Sequence, residues 1–420
     1  MTFKTTPKSP TLRLNEQSRL RAAQGQTVYR MGFGESPFMP PIRVQQALQE
    51  SAHRKDYAPV QGLVELRQEI ASFHSHVDGY AIDAQQVYVG SGSKILLFNT
   101  LLAFESAVVL IPTPAWVSYA PQAELIGHHV HRIPTTFEGR WHITPAALEA
   151  ILSQDEYADM SKILILNYPG NPDGLTYTAT ELEDIAHVLR KHQAWVISDE
   201  IYACLHHQGQ HISIAQYYPE RTVTTTGLSK WCGAGGWRLG VQILPKDAPV
   251  AFVDAILGIA SETFSCAPTP IQVAACQAYV WDDVTDHHLQ QQHHILSRVG
   301  NHIQQILSQN GIAVHPPEGG FYLLLDFSPL REKLAGRGIQ TDTDLCLRLL
   351  ETTGVALLPG TAFGISPSDL TARLAYVDFS GIAIQQAISQ SKGAIPDQEL
   401  FDVHCAHMSQ GIHALVDWLT

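Results

Sequence analysis

Three near-continuous apolar runs constrain this chain more than any other feature: 107–111 (AVVLI), 162–167 (KILILN) and 194–198 (AWVIS). A strand with one wet face alternates apolar and polar residues, whereas a strand buried on both faces has no polar side to show. Stretches of helical periodicity separate the runs, so the pattern predicts a parallel sheet covered by helices on both sides, an α/β architecture. Leu63, Leu66, Ile70 and Phe73 recur at helical spacing and predict one amphipathic helix. Another is predicted to open with a capping box of Thr180 and Glu183, ahead of Leu182, Ile185, Ala186 and Leu189.

At 420 residues the chain exceeds one compact domain. After residue 280 the pattern shifts to a long Gln- and His-rich helix (about 283–309), a glycine turn, a strand over 321–327, a helix, and strands near 355–358 and 371–377. That order predicts a smaller α+β domain. The expected division is 1–50 as an arm and part of the small domain, 51–285 as the large domain, and 286–420 as the carboxyl-terminal small domain. Residues 1–30 are polar and predict an arm outside the core, while 391–404 (SKGAIPDQELFDVH) predicts a loop between two helices.

Composition excludes several classes of function. The net charge is −13 with histidines neutral, and no basic run offers a track for nucleic-acid phosphates. The 21 histidines add positive charge only below about pH 6.5. No apolar run is long enough to span a bilayer, and the opening MTFKTTPKSPTLRLNEQ lacks the apolar stretch of a signal peptide. Six scattered cysteines without a CxxC pair predict buried thiols in a reducing, cytoplasmic compartment.

Four blocks carry candidate chemistry. In 226–240 (TGLSKWCGAGGWRLG), Lys230 lies in a Gly/Ser-rich loop with Arg238 eight residues later. The block 198–202 (SDEIY) places Asp199 at the end of a buried strand, where ligands bind in open parallel sheets. The segment 167–174 (NYPGNPDG) follows the strand KILIL and exposes the amide of Asn171 on a rigid turn. Finally, 90–94 (GSGSK) joins a strand to a helix, and small residues at a helix N-terminus cradle anions through backbone N–H groups. Taken singly, each has a plain structural account: Lys230 a solvated loop lysine, Asp199 a helix cap, the NYPGNPDG segment a turn.

In this order, the four blocks resemble the fold-type-I pyridoxal-phosphate enzymes of the class I/II aminotransferase superfamily. The resemblance runs from about Gly32 to Arg373, with further matches at 57–71 (YAPVQGLVELRQEIA), 112–119 (PTPAWVSY), 318–327 (EGGFYLLLDF) and 354–364 (GVALLPGTAFG). It implies a large domain with a mostly parallel seven-stranded sheet flanked by helices, plus the smaller α+β domain. It also implies pyridoxal 5′-phosphate as cofactor, amino-acid and 2-oxo-acid substrates, and a ping-pong transamination with an aspartate-like substrate favoured.

Roles follow from the resemblance. Lys230 carries the cofactor as a Schiff base and serves as general base and acid. Asp199 pairs with the pyridine nitrogen, an ion pair worth about 4 kcal/mol at an effective dielectric near 20. Asn171 and Tyr202 bond the ring hydroxyl oxygen, and Trp116 stacks on the ring. The phosphate falls to Gly92, Ser93, Lys94, Ser229 and Arg238, whose planar guanidinium suits a dianion. Arg373 grips the substrate α-carboxylate, Gly34 leaves room beside it, and Tyr57 reaches the cofactor phosphate of a neighbouring subunit in a homodimer with shared active sites.

The chain departs from the family pattern at Gly227, where a serine or threonine is common three residues before the lysine, and at Asp173, where threonine is common. Thr226 and Ser229 are the candidates to replace the missing hydroxyl. Two alternatives stay open: another fold-type-I enzyme (a carbon–sulfur lyase, a synthase or an oxidase), since fold does not fix reaction, and a non-catalytic cofactor-binding regulator, which the acidic charge and the short stretch before Gly32 disfavour.

Overall fold

The computed structural model describes residues 8–391 and 395–420. Its central sheet takes β1 (Val87–Gly90), β2 (Ala107–Thr113), β3 (His129–Pro134), β4 (Ser161–Asn167), β5 (Trp195–Asp199), β6 (Thr222–Gly227) and β7 (Gly240–Ile243), in the order β1-β7-β6-β5-β4-β2-β3. Only β7 runs against the rest, pairing antiparallel with both β1 and β6. The apolar runs behave as their composition demands. Val108, Leu110, Leu164, Leu166 and Val196 enter the core on one face of the sheet, while Val109, Ile111, Ile163, Ile165 and Ile197 enter the core on the other. Burial on both faces explains why no polar residue interrupts them.

A second, antiparallel sheet of order β8-β10-β9 follows, from β8 (Tyr322–Asp326), β9 (Leu358–Pro359) and β10 (Thr371–Ala375). The long helix Asp283–Gln309 precedes it and, despite its Gln and His content, buries Leu289, Ile295, Leu296, Val299, Ile303 and Leu307. The amino-terminal segment returns to this sheet: Tyr29 bridges to Val355, and Met31 O accepts from Ala375 N at 2.6 Å. Among the described residues, no helix is long and apolar enough to cross a membrane.

Four expectations change. The capping box uses Thr178 and Glu181, two residues earlier than the Thr180–Glu183 pair. The earlier start puts Tyr177 and Leu182 at the two positions of a hydrophobic staple, and both join one apolar cluster; the later start offers Ala179 and Asp184 instead. The polar arm is a helix, Pro10–Ala23, whose Leu14 packs on Val28, Leu350 and Ala356; residues 1–7 lie outside the described residues. The predicted loop 391–404 is largely helical from Asp397 through a π-helical turn at Leu400–His404, because Leu400 and Phe401 are buried in the main core; residues 392–394 lie outside the described residues. The strand expected at 355–358 shrinks to Leu358–Pro359. All six thiols are free, four of them buried, with Cys266 and Cys276 only partly so.

Candidate functional site

The carboxyl ends of the parallel strands converge on one cavity of about 360 Å³. β5 delivers Asp199 and the turn after it delivers Tyr202; β4 delivers Asn167 and, beyond it, Asn171; the loop after β2 delivers Trp116 and Ser118. Lys230 and Ser229 follow β6, Ser93 and Lys94 follow β1, and Arg238 precedes β7. Gly34 from the amino-terminal segment and Arg373 from β10 close the far side. Residues scattered along the sequence thus meet because the sheet brings its carboxyl edge to one place.

Lys230 Nζ donates to Gly34 O at 2.8 Å and lies 5.5 Å from the Tyr202 ring centre. Asp199 is 4% exposed; Tyr119 Oη donates to its Oδ2 at 2.7 Å, and Ile201 N donates to Oδ1 at 3.3 Å. Burial is the main influence on the carboxyl and pushes its pKa up to about 6; the Tyr119 and Ile201 hydrogen bonds and the Lys230 charge pull the other way. Burial likewise pushes the Tyr202 phenol well up, so it enters chemistry as a neutral hydroxyl.

Arg373 is buried to 2% exposure. Its Nη1 donates to Asn171 Oδ1 at 2.8 Å and its Nη2 to Gly32 O at 2.7 Å, while Nε has no protein partner among the described residues. The guanidinium faces the rings of Tyr322 and Phe363 at 4.6 and 5.0 Å. Among the described residues Arg373 has no carboxylate partner, and a cation buried in that way calls for an anion. Burial lowers the Arg373 pKa, but a guanidinium starts so far above neutral that it stays charged.

At the opposite end, Gly92 caps the helix Ser93–Leu102 with φ +96°. A Cβ there would stand 2.1 Å from Arg238 Nη2, so glycine is what lets the guanidinium lie against the helix N-terminus. Exposed helix-terminal amides beside an arginine suit a phosphate. Gly34 is needed for a similar reason, since a Cβ would stand 1.8 Å from Tyr322 Oη. Lys94 Nζ lies 4.9 Å above the Trp116 ring, and burial followed by the Arg238 charge lowers its pKa.

These groups fit pyridoxal phosphate: an amine for its aldehyde, a buried carboxylate for its ring nitrogen, an amide and a phenol for its ring oxygen, an indole for its face and a cationic N-terminus for its phosphate. Of the residues given a role at this site from sequence, Tyr57 is 90% exposed and does not line the cavity, and Gly92 borders it as the cap before Ser93. The Gly227 position leaves no space for a serine or threonine, because a Cβ would meet Leu239 O at 2.6 Å. Ser229 lines the cavity, whereas Thr226 is buried within β6.

Sequence reasoning missed Tyr119, Tyr322 and Asn167, although each lies inside a block that resembles the family. It also missed Ser9, Thr11 and Leu12, which line the cavity from the amino-terminal helix and its approach; nothing in a polar opening segment signals such placement.

A model of the family described as aminotransferase class I and II matches residues 26–378. The chain is 33% identical over 381 residues to an aspartate aminotransferase of Geobacillus stearothermophilus, covering 88% of this chain and 91% of that protein. It is 30% identical over 392 residues to an asparagine–oxo-acid transaminase of Streptococcus mutans, covering 91% and 95%. Among solved structures, aspartate aminotransferase from Thermotoga maritima superposes with a TM-score of 0.80 at 26% identity over 98% of this chain and 97% of that one. The fold is also that of the Thermus thermophilus aspartate aminotransferase with maleate, with a TM-score of 0.83 at 24% identity over 99% of this chain and 100% of that one.

Proposed function

The chain belongs to the class I and II aminotransferases, and from that premise we propose that it uses pyridoxal phosphate held at Lys230 to move an amino group from an aspartate-like donor to a 2-oxo acid. One observation carries this reading: Lys230 Nζ, the Asp199 carboxylate and the Arg373 guanidinium line a single cavity. When bound, the cofactor supplies an electron sink for the pair left at the substrate Cα.

The protein's own groups do the rest. Arg373 holds the α-carboxylate and thereby orients the Cα–H bond. Lys230 Nζ holds the cofactor covalently between turnovers and, once freed, takes the Cα proton and returns it. Asp199, kept ionised by Tyr119, Ile201 and the nearby positive charge, stabilises a protonated ring nitrogen. Asn171 and Tyr202 serve the ring oxygen, Trp116 covers the ring, and Gly92, the backbone amides of Ser93 and Lys94, Ser229 and Arg238 serve the phosphate.

The acidic donor is supported by Lys94, whose ammonium lines the cavity above Trp116 with no carboxylate partner among the described residues. The shared-site homodimer is supported by a second cavity of about 670 Å³ that opens beside the first, with Ser9, Lys94, Trp116, Ser118 and Arg238 common to both, and by exposed Tyr57. The division at 50 and 285, and the cytoplasmic placement supported by the free thiols, belong to the same proposal.

The test is a panel of amino donors in single turnover with the cofactor-loaded protein. Aspartate-like donors abolish the bound cofactor's visible absorbance, and a 2-oxo acid restores it. Release of ammonia and oxo acid without a second substrate would instead identify a lyase or oxidase.

A further inference from the structure

The hydroxyls of Tyr202 and Tyr322 lie 2.9 Å apart, both buried, although 120 residues separate them in the chain. Tyr202 follows β5 of the large sheet, and Tyr322 opens β8 of the small one. Each hydroxyl has one proton to donate. Among the described residues each hydroxyl has the other as its one hydrogen-bond partner, and either can be the donor. With Tyr322 as the donor, Tyr202 accepts from it and keeps its own proton for a group in the cavity that both line. Donation into a hydroxyl also strengthens that hydroxyl as a donor.

The Tyr322 ring makes a second contact. The Arg373 guanidinium lies 4.6 Å over it, while the Tyr322 hydroxyl sits against Gly34, whose carbonyl receives Lys230 Nζ. The charged groups around the pair are Asp199, Lys230 and Arg373, all on the cavity wall. We infer that Tyr322 is a positioning residue with two separable parts: its hydroxyl orients the Tyr202 proton toward the cofactor ring oxygen, and its ring seats Arg373 for the substrate carboxylate. This rests on the proposed cofactor chemistry at Lys230.

The experiment compares Tyr322→Phe, Tyr322→Leu, Tyr202→Phe and the Tyr202→Phe/Tyr322→Phe double variant with the parent, each loaded with pyridoxal phosphate and titrated with pH by absorbance. Thermal melts of each variant confirm that it is folded. A hydrogen bond to the ring oxygen favours its deprotonated form, so weakening that bond raises the titration midpoint. Tyr322→Phe raises it by about 0.5 pH unit, the size expected for weakening one hydrogen bond in a chain, with the donor KM within about twofold of the parent. In the Tyr202→Phe background the same change adds no further shift, since the relay has already lost its second member. Tyr322→Leu also raises the donor KM, by about tenfold, through loss of the cation–π seat.

A Tyr322→Phe midpoint equal to the parent's, or a full additional shift in the Tyr202→Phe background, overturns the inference. Failure of the underlying reading has a different signature. There the parent itself shows no cofactor absorbance that Lys230→Ala removes.

Discussion

Tyr119 donates a hydrogen bond of 2.7 Å to Asp199 Oδ2, and both side chains are almost wholly buried. The bond opposes the burial that lifts the Asp199 pKa to about 6, so it favours the ionised carboxylate that a protonated pyridine ring requires. Tyr119→Phe removes the donor and moves the pKa further up, leaving more of the carboxyl protonated at neutral pH. Cofactor affinity at pH 7 is expected to fall about tenfold, the usual worth of a hydrogen bond to a charged group. Equilibrium titration with pyridoxal phosphate measures it, and an unchanged dissociation constant would remove Tyr119 from the site's electrostatics.

Arg373 holds the Asn171 side chain and the Gly32 carbonyl while presenting its guanidinium to the cavity. Arg373→Lys keeps the charge and loses the planar fork. The donor KM is expected to rise on the order of 100-fold, within the range seen when one partner of a buried charged pair is lost. Steady-state kinetics with several donors check this; a rise for one donor alone would assign Arg373 to the side chain instead of the shared α-carboxylate.

Gly34→Ala places a Cβ against Tyr322 Oη, where 1.8 Å separates the two positions. Relief requires moving either Tyr322 or the segment carrying the Lys230 acceptor. Overpacking of this kind costs about 1–3 kcal/mol. Urea denaturation and donor KM are expected to worsen together, and a variant matching the parent in both would show that the segment shifts freely.

Asp173 is half-buried in the Asn171 turn and accepts from Leu175 N at 2.8 Å. Burial raises its pKa from 3.8 to about 7. The folded chain therefore holds a proton there that the unfolded chain releases. The resulting stabilisation is fully present below about pH 4 and is lost as pH rises through 7, on the order of a few kcal/mol in all. Asp173→Asn keeps an acceptor for Leu175 without an ionisable group. The fall in this contribution between pH 5 and 8 is expected to vanish in the variant, as read from denaturation midpoints; identical pH profiles would show that Asp173 does not titrate in that range.

The sheet was legible in the sequence because burial on both faces leaves a local mark: apolar runs with no polar interruption. The site blocks were legible because each packs its residue types and turn chemistry into a few adjacent positions. Where two local signals overlapped, sequence could not choose between them. The Thr180–Glu183 capping box obeys the same rule as the observed Thr178–Glu181 box, and only the packing of Tyr177 with Leu182 separates them. The polar composition of 391–404 hid a helical turn that forms because Leu400 and Phe401 find a core to enter.

By itself, the sequence determined the α/β architecture, the family resemblance and the order in which Gly92, Trp116, Asn171, Asp199, Lys230 and Arg373 arrive along the chain. The tertiary structure alone decided which groups touch. Tyr119 meets Asp199 across 80 residues, Tyr202 meets Tyr322 across 120, and Arg373 meets Gly32 across 341. Periodicity and turn chemistry act over a few neighbouring residues, whereas these hydrogen bonds depend on how whole strands are ordered and where their ends converge.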